Sequence, residues 1–397
     1  MNFIHQKVVT YIYWGILSLC LFACSESRRA DDKIQVIDVN GPNKVKFAEL
    51  FDHCKVIPLE TTDSSLIGLT IDKVEYYKDR IYVLNQLQSH KNVICFDSSG
   101  HFLFNIDRIG RAPDEYTFLS DFFIDLNKEQ LVFVSEAGRY VFFNMDGRYL
   151  YDKKTKAPYL PCQIIFNDSG YLVYNDIEEQ SKNCDLLILD TATMDISCRL
   201  ENFGEITYNT GGRALSSYRG HILYYHFNDT IYEISTLGER KSIYYINCGS
   251  AHADSKELIN RKKRTLSGDD LVKFIYSQLS SGRMKYISSI FENDRWFIIN
   301  GKEGNKKHAF KSFFVLYDKN NKKSYHSSNI DFGFLDPSNT EMQIVYSSDD
   351  ALFCLINKEL TSDEMTKIEA SKHLSPEDKH VLKQRQESDN PFLLRLK

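Results

Sequence analysis

The sequence lacks the short motifs that mark well-known catalytic and nucleotide-binding sites. Its 397 residues contain no phosphate-binding loop, no Gly-x-Ser-x-Gly nucleophile elbow and no His-Glu-x-x-His zinc motif. None of the nine cysteines forms a Cys-x-x-Cys pair or lies near a histidine at metal-ligand spacing. We therefore predict no metal site, no cofactor and no catalytic residue from the motifs.

The sequence also has no concentrated positive charge. Its 49 Lys and Arg residues are scattered among 54 Asp and Glu residues, and the net charge is -5. Because nucleic-acid surfaces need a basic patch, we predict no nucleic-acid partner. Most cysteines, such as Cys95, replace an aliphatic residue in a strand-like run, which predicts buried, inert thiols. Cysteine spacing assigns no disulfide.

No apolar run is long enough to span a bilayer comfortably. Residues 8–22 form an apolar run of about 15 residues after Lys7, and a polar segment begins after Cys24. This pattern resembles a bacterial lipoprotein signal, in which the cysteine becomes the acylated N-terminus. It predicts a signal peptide over residues 1–23, a lipid anchor at Cys24 and a tether and lead-in over residues 24–44. The alternative is ordinary signal-peptidase cleavage with an incidental thiol at Cys24.

If Cys24 is acylated, several acyl chains would anchor the protein firmly, since each buried CH₂ contributes about 0.8 kcal/mol. Ser25 provides no acidic signal for retention in the inner membrane. We therefore expect the outer membrane of a bacterial cell envelope, with the protein facing either the periplasm or the outside.

What the chain does contain is a repeat of four short strands. Residues 80–106 and 130–151 follow the same pattern, and Gly100 and Gly147 are about 47 residues apart, which is typical of one propeller blade. Similar units occupy residues 162–200, 214–246 and 286–321. The strands are apolar on both faces, which favours a propeller over a sandwich because each blade lies between two others.

The sixth unit combines both ends of the chain. Strands at residues 341–346, 351–356 and 390–396 leave the blade incomplete, and we expect residues 56–59 to complete it and remove the last exposed edges. Helical insertions are predicted at about 254–281 and 359–388; Ser375 as N-cap and Pro376 at the first position mark one helix in the second. The first insertion is either a helix packed on the propeller or a mobile lid.

Four motifs in order resemble a known family. Residues 55–68, the first blade up to Gly100, residues 109–116 and residues 389–393 are similar to the six-bladed β-propeller lipoproteins of Bacteroidetes, which are related to NHL-repeat propellers. The resemblance covers about residues 45–397. It implies an all-β, six-bladed β-propeller with four-stranded antiparallel blades, and a location in the envelope. The family pattern is richer in glycine where this chain has Arg111, Ala112 and Asp114.

The loop between the first two blades is the best candidate binding site in the sequence. Arg forks and a Tyr face suit sugars and peptide carboxylates. The candidate ligand-binding residues are Arg108, Arg111, Asp114, Glu115 and Tyr116. The alternative is that Glu115 and Tyr116 fix the crossover between blades through internal hydrogen bonds. We expect the adjacent carboxylates Asp349 and Asp350, in a turn, to face solvent.

The sequence thus favours a monomeric, membrane-anchored propeller that binds a glycan, a peptide or a protein partner, or acts as a scaffold, without catalysis. The alternative is a hydrolase or lyase whose active site lies in the central cavity. Inward-facing His, Asp or Glu side chains that converge from different blades would distinguish the enzyme, because fold alone assigns no chemistry.

Overall fold

The chain folds as a six-bladed β-propeller of antiparallel sheets, as predicted. The structure is a computed structural model, and it describes residues 34–39, 45–68, 70–135, 138–155, 163–167, 170–174, 186–200, 215–225, 229–235, 239–249, 273–274, 276–278, 280–281, 285–304, 310–337 and 342–397. The propeller lies within the compact unit Val36–Lys397. Cys24 and the predicted signal lie outside the described residues.

Four short elements precede the first blade. They are β1 (Gln35–Asp38), β2 (Val45–Lys46), helix α1 (Phe47–Leu50) and β3 (Cys54–Pro58). Blade 1 then contains β4 (Thr70–Tyr77), β5 (Arg80–Gln86), β6 (Lys91–Asp97) and β7 (Phe102–Ile106). Blade 2 contains β8 (Asp121–Asp125), β9 (Gln130–Val134), β10 (Arg139–Asn144) and β11 (Tyr149–Lys154). Blade 3 contains β12 (Gln163–Asn167), β13 (Gly170–Tyr174), β14 (Leu186–Leu189) and β15 (Ile196–Leu200).

The second half of the chain supplies the other three blades. Blade 4 contains β16 (Leu215–Tyr218), β17 (His221–Tyr225), β18 (Thr230–Ile234) and β19 (Arg240–Asn247). Blade 5 contains β20 (Lys285–Glu292), β21 (Trp296–Gly304), β22 (Phe310–Asp318) and β23 (Lys323–Ser327), followed by β24 (Ile330–Asp331), which pairs with β2. Blade 6 contains β25 (Met342–Ser347), β26 (Leu352–Ile356), helices α2 (Ser362–Ala370) and α3 (Pro376–Gln384), and β27 (Phe392–Leu396).

The middle strands are buried on both faces because each blade is packed between two others. Tyr82 on β5 is fully buried and shares an apolar cluster with Phe133 of blade 2. Its neighbour Ile81 points the other way and shares a cluster with Phe353 of blade 6. Successive side chains of a strand alternate between its two faces, so one strand contributes to two inter-blade cores. This confirms the interpretation of the two-sided apolar pattern.

The ring closes as the sequence predicts. β3, from the N-terminal part of the chain, pairs antiparallel with β27 near the C-terminus, with Val56 opposite Leu394, and forms the outer strand of blade 6. Helix α3 covers this outer edge, and the backbone N–H of Val56 donates to the Asp378 carboxylate at 2.8 Å. The edge donor is therefore satisfied within the fold.

Both helices of the second predicted insertion are present. Helix α2 starts at a capping box formed by Thr361 and Glu364, and α3 starts at one formed by Ser375 and Asp378, with Pro376 in its first turn. Of the first predicted insertion, residues 273–274, 276–278 and 280 are helical, and residues 254–272 lie outside the described residues.

One further feature concerns the segments around the blades. β1, in the predicted lead-in, pairs with β19 as a fifth strand of blade 4.

The described cysteines carry free thiols, and all but the half-buried Cys198 are buried, which agrees with the prediction of inert thiols. Within the described ranges, no helix has the length and apolar character needed to cross a bilayer.

Candidate functional site

The first strands of the blades line a central cavity of about 670 Å³. Its wall uses the later part of β4, residues 73–77, and of β8, including Phe123 and Ile124. Ile165 of β12, strand β16, the end of β20, and the end of β25 with the turn that follows it also line the cavity. Because the first strands end in hairpin turns at this side of the ring, the turns of several blades converge at the cavity mouth. The volume is typical of a small-molecule site.

Arg219 ties three blades together at the mouth. It lies in the turn between β16 and β17, where Arg219 has a φ of 46° and Gly220 a φ of 81°. Both angles fit a type I′ hairpin turn, which favours glycine or asparagine. Arg219 Nη1 lies 2.8 Å from Asp294 Oδ1 of blade 5, and Nη2 lies 3.1 Å from Asp349 Oδ2 of blade 6. The Tyr218 hydroxyl donates to the same Asp294 oxygen at 2.7 Å. We call Tyr218, Arg219, Asp294 and Asp349 the rim cluster.

The C-terminal strand provides a second group of charges. Arg395 Nη2 lies 3.4 Å from Asp350 Oδ1, and the Lys397 ammonium also donates to the Asp350 carboxylate. This hydrogen bond from Lys397 is the main cause that holds the pKa of Asp350 below its ordinary value, and Arg395 adds to it. The Arg395 guanidinium lies 5.8 Å from the centre of the Tyr76 ring. We call Asp350, Arg395 and Lys397 the terminal cluster.

Other charged groups are paired along the cavity wall. Lys73 is buried, and its ammonium donates to the Phe122 carbonyl at 2.5 Å. The same ammonium lies 3.1 Å from Glu75 and 3.3 Å from Asp121, so it connects blade 1 to blade 2. On blade 5, Lys319 Nζ lies 3.0 Å from Oε1 of Glu292, at the end of β20. We call these contacts the wall pairs.

Aromatic rings line the remaining surface. Those that contribute to the wall are Tyr76, Tyr77, Phe123, Tyr218, Phe291 and Tyr346, and all except Phe123 are half-buried. Burial is the main cause that raises the pKa of Tyr218 and Tyr346, so both hydroxyls stay protonated at neutral pH. The Tyr346 hydroxyl donates to the Tyr76 carbonyl at 3.1 Å. The cavity therefore offers ring faces, neutral hydroxyls and paired charges together.

The five residues predicted from the loop between blades 1 and 2 do not line this cavity. The loop precedes β8, whereas the cavity uses the far part of that strand. Tyr116 is fully buried, and its hydroxyl donates towards the carbonyls of Ile106 and Lys91, at 3.0 and 3.1 Å. Glu115 accepts from the backbone N–H of Ala112 at 2.9 Å. Glu115 and Tyr116 thus make the internal contacts of the structural alternative.

The charged residues of the same loop are more accessible. Arg108 and Asp114 form an ion pair at 2.5 Å, and about 40% of each side chain is exposed. Arg111 is exposed and has no ion pair or hydrogen bond with any residue that the structure describes. Arg139 of β10 donates to the backbone carbonyls of Pro113 and Glu115, and so holds the loop against blade 2. Ligand binding by Arg108, Arg111 and Asp114 remains a prediction.

Sequence reasoning missed the rim cluster. Arg219 was visible only as part of a turn, and Asp349 was expected to face solvent. Its side chain is indeed 65% exposed, but it is paired with Arg219 of a non-adjacent blade. One signal could have revealed the cluster. If the repeats are aligned, the turns after the first strand of every blade fall at the same end of the ring.

Acidic side chains from different blades do reach the cavity, which was the feature expected of an enzyme. They are Glu75, Glu292, Asp349 and Asp350, and each has a basic partner. No histidine is among the described residues that line the cavity. In the described part of the chain, no three His, Cys, Asp or Glu side chains are grouped to hold a metal ion.

Comparison with known proteins gives the family. Residues 34–397 match the family described as "Domain of unknown function (DUF4934)", and the chain belongs to it. No curated protein matches the chain. The crystal structure of an exported-protein candidate from Bacteroides fragilis is similar in fold, with 19% identity, a TM-score of 0.70, and coverage of 91% of this chain and 99% of that chain. BamB from Moraxella catarrhalis is 10% identical over 78% of this chain and 80% of its own, with a TM-score of 0.39.

Proposed function

We propose that this protein is a non-enzymatic binding module of the bacterial cell envelope, and that its ligand enters the central cavity at the rim cluster. One observation carries the proposal. Side chains from four blades converge at one mouth of a 670 Å³ cavity. They present aromatic rings, hydroxyl groups and paired charges to the cavity. Such a concave site with few, well-placed polar groups is the usual form of a ligand site.

Pairing of the acids favours binding over hydrolysis. A general acid needs a raised pKa, and a glycosidase needs two carboxylates that face each other across a sugar. Here Glu75 and Glu292 are each held by a lysine, and Asp350 has a lowered pKa. At Asp350, the cationic partners Lys397 and Arg395 stabilise the ionised carboxylate and oppose proton donation.

The anchor belongs to the same proposal. The apolar segment followed by Cys24 supports a lipoprotein, related to the NHL-type propellers, that is attached to the outer membrane. The similar fold of an exported-protein candidate is compatible with this location. The protein would then hold its ligand at the membrane surface, facing the periplasm or the outside.

A block of the cavity tests the proposal. Ser217 lines the cavity and is exposed, so Ser217→Trp should fill the mouth, while Ser217→Ala serves as the matched control. A thermal-shift panel would contain neutral hexasaccharides of glucose, xylose and mannose, hexagalacturonate, pentalysine and pentaglutamate. A ligand at 100 times its Kd stabilises the protein by about 2.7 kcal/mol.

We expect at least one probe to raise Tm in the wild type and in Ser217→Ala but not in Ser217→Trp. Arg111→Ala should respond like the wild type. A shift that persists in Ser217→Trp and disappears in Arg111→Ala would contradict the proposal and locate the site in the loop between blades 1 and 2.

A further inference from the structure

We infer that the cavity takes an uncharged, hydroxyl-rich ligand, the end of a neutral oligosaccharide. This inference rests on the proposed function and names its ligand class. Its basis is that, among the described residues, every charged side chain that lines the cavity already has a partner of opposite sign. The rim cluster, the terminal cluster and the wall pairs account for all of them.

The charges are also close to balance. The three groups together contain five cations and six anions, so the cavity presents no strong field of either sign. A charged ligand would have to displace one partner and leave the other unpaired. An unpaired charge in a partly desolvated site is costly, so a net charge on the ligand should weaken binding.

Lys73 is the clearest example of a cavity charge that is neutralised by neighbouring acids. Its side chain is 1% exposed, and its ammonium has contacts with Phe122, Asp121 and Glu75. The ammonium donates two hydrogen bonds, to the Phe122 carbonyl and the Asp121 carboxylate, and its charge is matched by Asp121 and Glu75, so a ligand carboxylate would have to displace one of these acids. The deepest cation of the cavity is therefore structural, and it provides no anion site.

The hydroxyl groups of an uncharged ligand match the hydrogen-bonding groups of the wall that are still available. A paired carboxylate still has free lone pairs, the Tyr218 and Tyr346 hydroxyls already donate within the protein but can still accept, and the exposed Ser217 hydroxyl can both donate and accept. Ser216, Ser217, Ser347 and Ser348 line the same surface as the half-buried tyrosines. A sugar ring has hydroxyls that donate and accept and C–H faces that pack on aromatic rings, so it matches this wall group by group.

Arg219 provides a test because it is the most exposed of the described cations that line the cavity. Its side chain is 55% exposed, and Asp294 and Asp349 neutralise it. Removing both acids leaves a free guanidinium, which can bind a carboxylate in a bidentate manner. Asp294→Asn with Asp349→Asn should therefore change the ligand preference without changing the shape of the wall.

The experiment is titration calorimetry on the detergent-purified full chain with the three neutral hexasaccharides and hexagalacturonate. We expect at least one neutral hexasaccharide to bind the wild type at least tenfold more tightly than hexagalacturonate. In the double variant, hexagalacturonate should gain at least tenfold in affinity, while the neutral ligand changes less than threefold. Thermal unfolding of both proteins checks that the double variant is folded.

The outcomes separate the two proposals. If hexagalacturonate, pentalysine or pentaglutamate binds best and Ser217→Trp abolishes that binding, the ligand site is the cavity. The inference that the ligand is a neutral oligosaccharide is then wrong. If none of the neutral hexasaccharides binds, the neutral class is also wrong. If a neutral hexasaccharide binds and Ser217→Trp leaves its affinity unchanged, the ligand site lies outside the cavity and the proposed function fails.

Discussion

A single buried tyrosine fixes the connection between the first two blades. The Tyr116 ring packs edge-on against the Phe133 ring, with 5.7 Å between the ring centres. Its hydroxyl donates towards the carbonyls of Lys91, at the start of β6, and Ile106, at the end of β7. Burial raises the pKa of Tyr116, so the hydroxyl remains a donor at all physiological pH values. Tyr116 therefore stabilises the crossover in the way that the structural alternative proposed from sequence.

Tyr116→Phe should keep the ring and lose the hydrogen bonds. We expect the free energy of unfolding to fall by about 1–2 kcal/mol, because the buried Ile106 carbonyl and the partly buried Lys91 carbonyl lose the donor that they share. Arg111→Ala in the same loop should change it by less than about 0.5 kcal/mol, since the side chain is exposed. Urea denaturation of both variants measures this, and equal stabilities would refute the assigned role of Tyr116.

The burial of Tyr116 and the ion pairs of Arg219 could not be predicted from the sequence. The types of residue in the loop between blades 1 and 2 suggested a binding site, yet the burial of Tyr116 depends on packing against blade 2. The partners of Arg219 lie 75 and 130 positions away in the chain. Such pairs are set by the closed ring, and a local pattern does not contain them.

At the level of elements, the strand that closes the ring was predictable because its partners were incomplete. Three strands near the C-terminus needed a fourth, and the apolar run that became β3 was unpaired at the other end of the chain. Ile57 on β3 is buried between blades 6 and 1, whereas Lys55, two residues earlier, is exposed.

Ile57→Ala should lower the free energy of unfolding by about 2–5 kcal/mol, because it leaves a cavity in this inter-blade core. Lys55→Ala on the same strand should remain within about 0.5 kcal/mol of the wild type. Thermal or urea unfolding gives both values. A neutral Ile57→Ala would mean that β3 does not close the ring.

Helix α2 is attached to the propeller by a buried ion pair. Glu364 Oε1 lies 2.6 Å from Lys358 Nζ and accepts from the backbone N–H of Asp336 at 2.7 Å. Burial alone would raise the pKa of Glu364, but the hydrogen bonds from Asp336, Lys358 and Thr361 outweigh it and hold the pKa below the ordinary 4.5. Ser375 as N-cap and Pro376 at the first position predicted helix α3, whereas the attachment of α2 was not visible in the sequence.

Glu364→Gln should destabilise the protein by about 3–5 kcal/mol at neutral pH, because Lys358 loses its buried partner. Since the folded pKa is the lower one, the carboxylate stabilises fully above about pH 4.5 and loses its effect as the pH falls through the folded pKa. The stability gap between wild type and variant should therefore narrow in acid. Glu369→Gln, at an exposed pair on the same helix, is the control and should show little change. A gap independent of pH would contradict this assignment.

At the scale of the whole molecule, the repeat period and the two-sided burial were enough to predict a six-bladed ring. They did not locate the cavity mouth, because the period is the same for both ends of the ring. The difference arises from the residues at turns, which the repeat does not constrain. The lipid anchor, in contrast, stays a prediction from the sequence alone, and it can be tested independently of the fold.

If the lipoprotein proposal is correct, Cys24→Ser should abolish the incorporation of radiolabelled palmitate and release the protein from the membrane fraction, because the proposal makes this thiol the acylation site. Cys54→Ser, at a buried thiol of the propeller, is the matched control and should still incorporate the label. Palmitate label retained in Cys24→Ser would show that the lipoprotein interpretation is wrong.

The most direct test of the account is a hydrogen-exchange map of the full chain with and without the neutral hexasaccharide that binds most tightly. If the ligand binds in the cavity, amide exchange should slow at the cavity mouth, in residues 75–80, 216–225 and 342–352, and should not change in residues 107–120. Protection confined to residues 107–120 would contradict it, and would place the ligand on the loop between blades 1 and 2.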